Sequence, residues 1–185
     1  WETDFLRFYN SQTNYNISKK SNTLYAKICK GKRLLNFSIS NPNAESLEEK
    51  FYDSLAIIDS IPEDPHFVDL EKDLRKTSET EKINNIGKLD IEQKIAILKE
   101  IAEATAPYQY NIYGTFICNY VKHTLINSNG LNKISYNSPI FLEIKAVSES
   151  NQVTVLESFG SEDAQRLNVK EIIENLCKKV KMSKT

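Results

Sequence analysis

The chain has 185 residues, of which 40% are apolar and 26% charged; this suits one globular domain with a sizeable core and excludes a disordered or fibrous protein. With 24 Lys and Arg against 25 Asp and Glu, the net charge of −1 lacks the basic excess of a duplex-binding domain, so no nucleic-acid partner is expected. No apolar run is long enough to span a bilayer and no signal-peptide pattern is present, so no membrane partner is expected either.

In chain order, Thr3–Tyr9 (TDFLRFY) mixes aromatic and β-favouring residues and predicts a first strand, with Asn14–Ser18 as its extension. Two alternating runs, Asn22–Lys30 and Arg33–Ser40, flank Gly31 and Lys32 and predict a β-hairpin. Asn41 as cap and Pro42 at the first helical position then predict a helix that ends near Ser60, before Pro62. Its core face is expected to be Leu47, Phe51, Leu55 and Ile58, spaced four, four and three apart. Residues 68–88, dense in both charge signs, read as an exposed connecting segment.

Asp90 with Gln93 resembles a capping box, followed by Ile91, Ile95, Leu98 and Ile101 on one helical face, and Pro107 ends that helix. From Tyr108 the period changes to two. Strands are expected at Tyr110–Cys118, Val121–Ile126, Leu131–Tyr136, Ile140–Val147 and Val153–Phe159, with a turn at Asn127–Gly130. A last helix opens with Asn168 and Glu171 and turns Val169, Ile172, Ile173, Leu176 and Val180 to the core. Segregated strands and helices give an α+β fold: a largely antiparallel sheet of about seven or eight strands with helices on one face.

The chemistry-bearing residues are sparse. His66 and His123 are the only histidines, and HExxH, HExxxH and CxxC are missing, so no metal site is expected in this chain. Ser128 lies near His123 without a GxSxG elbow, and the five glycines, at 31, 87, 114, 130 and 160, form no phosphate-binding loop. Glu63/Asp64 and Glu162/Asp163 read as solvated turn caps, and Lys178, Lys179, Lys181 and Lys184 suit the last turns of a helix. Cys29, Cys118 and Cys177 are three widely spaced thiols in apolar stretches, read as inert core residues of a protein in a reducing, cytoplasmic compartment. No catalytic residue is expected.

Four separated pieces, in order, resemble the TldD/PmbA family, also called modulator of DNA gyrase: TDFLRFYNS, KICKGKRLLNFSIS, IPEDPHF and the meander NIYGTFICNYVKHTLINSNGLNKISYNSPIFLEIKAV. The family-motif positions in this chain are Gly114, Asn127, Ser128 and Gly130, with Arg7 on the first strand. Turn chemistry accounts for Asn127, Ser128 and Gly130, and a place in the lining of a peptide channel is the alternative. Arg7 is expected to reach a carboxylate inside the fold or at a dimer contact.

The resemblance implies that residues 1–185 are the amino-terminal, non-catalytic domain of a metallopeptidase-like protein. It implies that the domain frames a peptide-substrate cavity and supports a homodimer or a heterodimer with a paralogue. Zinc, held by HExxxH in TldD-type members, would belong to a carboxyl-terminal domain that is the chain's first partner; no cofactor is expected here. Family members carry a helix before the first strand, and a strand-like start at Trp1 without an initiator Met predicts a piece of a longer protein. The other reading is a stand-alone module that binds a protein or extended peptide through its sheet surface or edge.

Overall fold

The computed structural model describes residues 1–71, 89–150 and 153–183, which divide into two compact units. The first contains Trp1–Lys19, the chain from Leu89 to Thr124, and Ile134 onward; the second contains the stretch from Lys20 to Glu71 and the turn segment Leu125–Lys133. Residues 72–88, most of the expected connecting segment, lie outside the described residues; before it, Val68 is exposed and Leu70 partly covered.

The first unit is built on a six-stranded sheet. The amino-terminal stretch makes two strands, β1 (Glu2–Tyr9) and β2 (Gln12–Lys20), because Asn10 and Ser11 take positive φ (50° and 59°) and close a tight hairpin between them. Asn14–Ser18 is therefore part of a separate edge strand and not an extension of the first.

The second unit contains the expected hairpin, β3 (Thr23–Lys30) and β4 (Arg33–Ser40), with Gly31 at φ 61° in its turn. It is followed by α1 (Ala44–Ile58). The cap of α1 is Asn43, two residues later than expected: Asn41 takes φ 50° and accepts the Asn22 N–H through its side chain, closing the strand ends. Asn43 and Ser46 form the capping box instead. Lys30 pairs with Asp59, and Arg33 donates to the Ile61 carbonyl and to Glu63, so the hairpin is fastened to the end of α1. Of the expected core face only Ile58 is buried, with Ser54 beside it; Leu47, Phe51 and Leu55 remain exposed.

Back in the first unit, α2 (Ile91–Thr105) opens on the Asp90–Gln93 capping box read in the sequence, and a 3-10 turn over Ala106–Tyr108 ends it. The strands expected at Tyr110–Cys118 and Val121–Ile126 are one strand, β5 (Tyr110–Ile126). Asn119 and Tyr120 stay extended because both pair with β1 and because Asn119 N–H donates to the Pro139 carbonyl. Then follow β6 (Asn132–Asn137), β7 (Ile140–Ser148), β8 (Thr154–Ser161) and α3 (Val169–Met182), capped by Asn168. Leu131 is buried in the turn before β6 and not in the strand.

The sheet order is β2-β1-β5-β7-β8, with β6 also pairing β5, and β1 with β5, β5 with β7 and β7 with β8 run antiparallel. Helices α2 and α3 cover one face. Leu98 and Ile101 of α2 and Ile172, Leu176 and Val180 of α3 pack with Leu6, Phe8, Ile112, Phe116, Leu142 and Ile144. Each such side chain contributes about 1.5–3 kcal/mol by leaving water. The fold is α+β with eight described strands, six in this sheet and two in the hairpin of the second unit.

Candidate functional site

The alternation that buries one face of the sheet against α2 and α3 turns the remaining side chains of each strand to the opposite face. Its outward side chains fall in rows across β1, β5, β7 and β8: Phe5, Ile117, Phe141 and Gly160, and then Arg7, Thr115, Glu143 and Ser158. In the next row Tyr113, Lys145 and Leu156 are in register, and Tyr9 meets Tyr113 edge to face with ring centres 4.9 Å apart. Phe5 meets Tyr15 of β2 in the same way at 6.3 Å. Tyr9 is 56% exposed, Tyr15 49%, Leu156 46% and Phe141 41%, so the face presents large apolar side chains to solvent. Reading both parities of TDFLRFY would have shown it: Phe5 and Tyr9 alternate with the buried Leu6 and Phe8. Strand β2 lies at the sheet's edge, and all nine of its residues are exposed.

Arg7 stands on β1, in the second of these rows. It is exposed and reaches no carboxylate among the described residues, so the expected internal partner is absent. Gly114 lies beneath the same face, between Phe8 and Ile144. Its φ is +152°, and a Cβ there would stand 1.9 Å from the Glu143 carbonyl oxygen and 2.8 Å from Cζ of Phe8. Glycine is required for close packing of three strands.

Asn127, Ser128 and Gly130 belong to the second unit. Asn127 Oδ1 accepts from the N–H groups of Asn129 (2.9 Å) and Leu131 (3.0 Å), while its Nδ2 donates to the Glu71 carbonyl (2.8 Å). Asn129 Nδ2 donates to the Leu70 carbonyl at 2.7 Å. Gly130 takes φ 92° in open space, and Ser128 is exposed. Thus Asn127 organises the turn and ties it to residues 70–71. The family-motif positions are divided between the units, with Arg7 and Gly114 in one and the turn in the other.

The second unit also holds an apolar groove of about 510 Å³ between α1 and the hairpin, lined by Ala26, Ile28, Phe37, Leu47 and Phe51. Lys27 and Glu48 stand at its rim. Leu47 and Phe51, two residues of the expected core face of α1, line it.

No group of three metal-ligating side chains comes together among the described residues, and His66 and His123 are both exposed. All three cysteines are free thiols. Burial pushes the Cys118 thiol up to about 11, opposed by the nearby Lys94 charge and aided by Asp4, and burial likewise raises Cys177. Lys94, a charge that the apolar periodicity of α2 does not mark, is a core residue: it is 1% exposed and its Nζ lies 3.3 Å from Asp4 Oδ2. In α3, Lys179 donates to Glu157 and to the Leu156 carbonyl at the β8 edge. Among the described residues no helix is long and apolar enough to cross a membrane.

No protein-family model and no curated protein matches the sequence. Solved structures do match. TldE from Thermococcus kodakarensis superposes with a TM-score of 0.76 at 13% identity, over 97% of this chain and 42% of that one. A protein described as a candidate modulator of a DNA gyrase, from Thermotoga maritima, gives 0.68 at 18% identity, over 97% and 42%. Its counterpart from Bacteroides thetaiotaomicron gives 0.69 at 13%, over 97% and 43%. The chain has the fold of these proteins and spans about two-fifths of their length, so the resemblance read in the sequence is borne out at the level of fold.

Proposed function

We propose that this chain is the amino-terminal, non-catalytic domain of a TldD/PmbA-type metallopeptidase-like protein, framing a peptide-substrate cavity and supporting dimerisation. The observation that carries the reading is the superposition over 97% of this chain on less than half of each matching structure. On this reading the first partner is a carboxyl-terminal domain of the same protein, and any zinc is held there, by side chains outside this sequence. The second copy or paralogue then completes a dimer, in the cytoplasm. The domain's own contribution is shape and backbone. Strand β2, exposed along its length at the sheet edge, offers main-chain donors and acceptors to an extended peptide without selecting its side chains.

The test is zinc analysis and a peptidase assay on the 185-residue chain, with unstructured and extended peptides as substrates. Neither bound zinc nor cleavage is expected, and clear turnover by this chain overturns the non-catalytic reading.

The same edge strand favours a second reading, a stand-alone module that binds an extended peptide. Edge strands are ordinarily protected, and the charged and amide side chains of β2 (Asn14, Asn16, Lys19, Lys20) are of the protecting kind. Saturable peptide binding by a native product that ends at Thr185 would favour the module over the domain.

A further inference from the structure

The face of the six-stranded sheet opposite α2 and α3 is self-complementary. Strand β5 is the middle strand of the path β2-β1-β5-β7-β8, with two strands on each side. In register across it, Arg7 of β1 and Glu143 of β7 flank Thr115, and Phe5 and Phe141 flank Ile117. Tyr9, packed on Tyr113, and Lys145, its register partner, flank that residue. All of these side chains point away from α2 and α3, since their neighbours in sequence are the buried ones.

We propose that a second copy of this chain packs on this face, sheet against sheet, about a two-fold axis that runs along β5. Neighbouring strands lie about 4.8 Å apart and packed sheets about 10 Å apart. Rotation about β5 carries β1 of one copy onto β7 of the other and β2 onto β8. Each Arg7 then faces the partner copy's Glu143, each Phe5 faces a Phe141, and each Tyr9 ring faces a Lys145 ammonium, while Ile117 and Thr115 meet themselves on the axis. Rotation about an axis across the strands would instead set Arg7 against Arg7.

Charge complementarity therefore selects a second copy in one orientation. Arg7, which has no carboxylate partner among the described residues, gains one; Glu143, only loosely paired with Lys145 at 3.9 Å, gains a second cation. The exposed Tyr15 of β2, packed on Phe5, is brought over Gly160 of β8. An isologous contact of this kind closes on itself and yields a dimer, not a filament. This inference deepens the dimerising part of the proposed function by naming the surface and the partner, and it rests on that reading.

Sedimentation velocity of the 185-residue chain across a concentration series tests it through charge reversal. The wild type is expected to dimerise. Arg7→Glu and Glu143→Arg should each weaken self-association at least about tenfold, because like charges meet twice per interface. An equimolar mixture of the two single variants should return to dimer, and so should R7E/E143R in one chain, whose net charge is that of the wild type. Recovery in both excludes misfolding as the cause of the single-variant loss. A wild type that stays monomeric overturns the inference and the dimerising role together. A dimer that survives both single reversals overturns the inference alone and moves the contact elsewhere. Loss without recovery in the mixture and the double variant overturns the facing arrangement.

Discussion

Phe8 and Gly114 face each other across β1 and β5, and the Phe8 ring occupies the space that a side chain on Gly114 would need. The carbonyl of Glu143 closes the same space from the other side, 1.9 Å from where a Cβ would stand. The carbonyl is backbone and the Phe8 ring is buried, so Gly114→Ala must move β7 as well as adopt a φ that side chains rarely allow. Its expected cost is about 3 kcal/mol, combining backbone strain and overpacking. Urea denaturation should show it as a lowered midpoint. Gly130→Ala, at φ 92° but in open space, should cost about 1 kcal/mol.

The turn after β5 separates a structural role from a channel-lining one. Asn127→Ala removes an acceptor for two backbone N–H groups and a donor to the Glu71 carbonyl. It should lower stability by about 1–2 kcal/mol and speed hydrogen exchange at Asn129 and Leu131. Ser128→Ala should stay within about 0.5 kcal/mol of wild type. A peptide-binding defect in Ser128→Ala with unchanged stability would instead place that serine at a binding surface.

Asp4 and Lys94 form a largely buried ion pair, with the lysine the more enclosed partner. Asp4→Asn leaves the ammonium buried without its carboxylate and should cost about 3 kcal/mol. Lys94→Met fills the same space without a charge and should cost less. The double-mutant cycle should show coupling above about 1 kcal/mol; additive effects would mean that the pair is not the source of either cost.

Cys118 predicts an alkaline limb in stability. Its folded thiol is pushed from an ordinary value of 9.0 up to about 11 by burial. Below pH 9 folded and unfolded thiols are both protonated and the contribution is complete. As pH rises through 9 to 11 the unfolded state loses its proton first, so stability falls, by about 2–3 kcal/mol at the upper end. Denaturation midpoints measured against pH should show this limb in the wild type and a shallower one in Cys118→Ala. Under native conditions at pH 8, alkylation of Cys118 should lag far behind that of the unfolded chain.

Local chemistry explains what was legible beforehand. The Asp90–Gln93 capping box, the Asn168 cap and the Gly31 turn are decided by residues within four positions of one another, and the structure places them as read, although the Glu171 carboxylate meets the Asn168 side chain and not its backbone N–H. The misreadings share a physical cause: each turned on something distant. Asn119 and Tyr120 look like a break until β1 and Pro139 hold them extended. The cap of α1 moved from Asn41 to Asn43 because Asn41 is engaged by Asn22 across the hairpin. Leu47, Phe51 and Leu55 do form a stripe, yet periodicity says that a helix has an apolar side and not what covers it. Lys94 sits on the core side of α2, where a charge is legible only once Asp4 is seen beside it. Arg7 and Gly114 were singled out, and their neighbours explain why one is exposed and the other cannot carry a side chain.

The central claim, that these residues are one domain of a larger protein, is tested most directly by the intact mass of the native gene product, captured through peptides of this chain and read together with the coding sequence beyond Thr185. The matching structures are more than twice as long as the part that this chain covers, at 42–43% of their length. The expected native product is therefore more than twice 21.2 kDa, continuing into a second domain, with HExxxH there in a TldD-type protein and without it in a PmbA-type one. A native product of about 21.2 kDa, with a stop codon directly after Thr185, would contradict it.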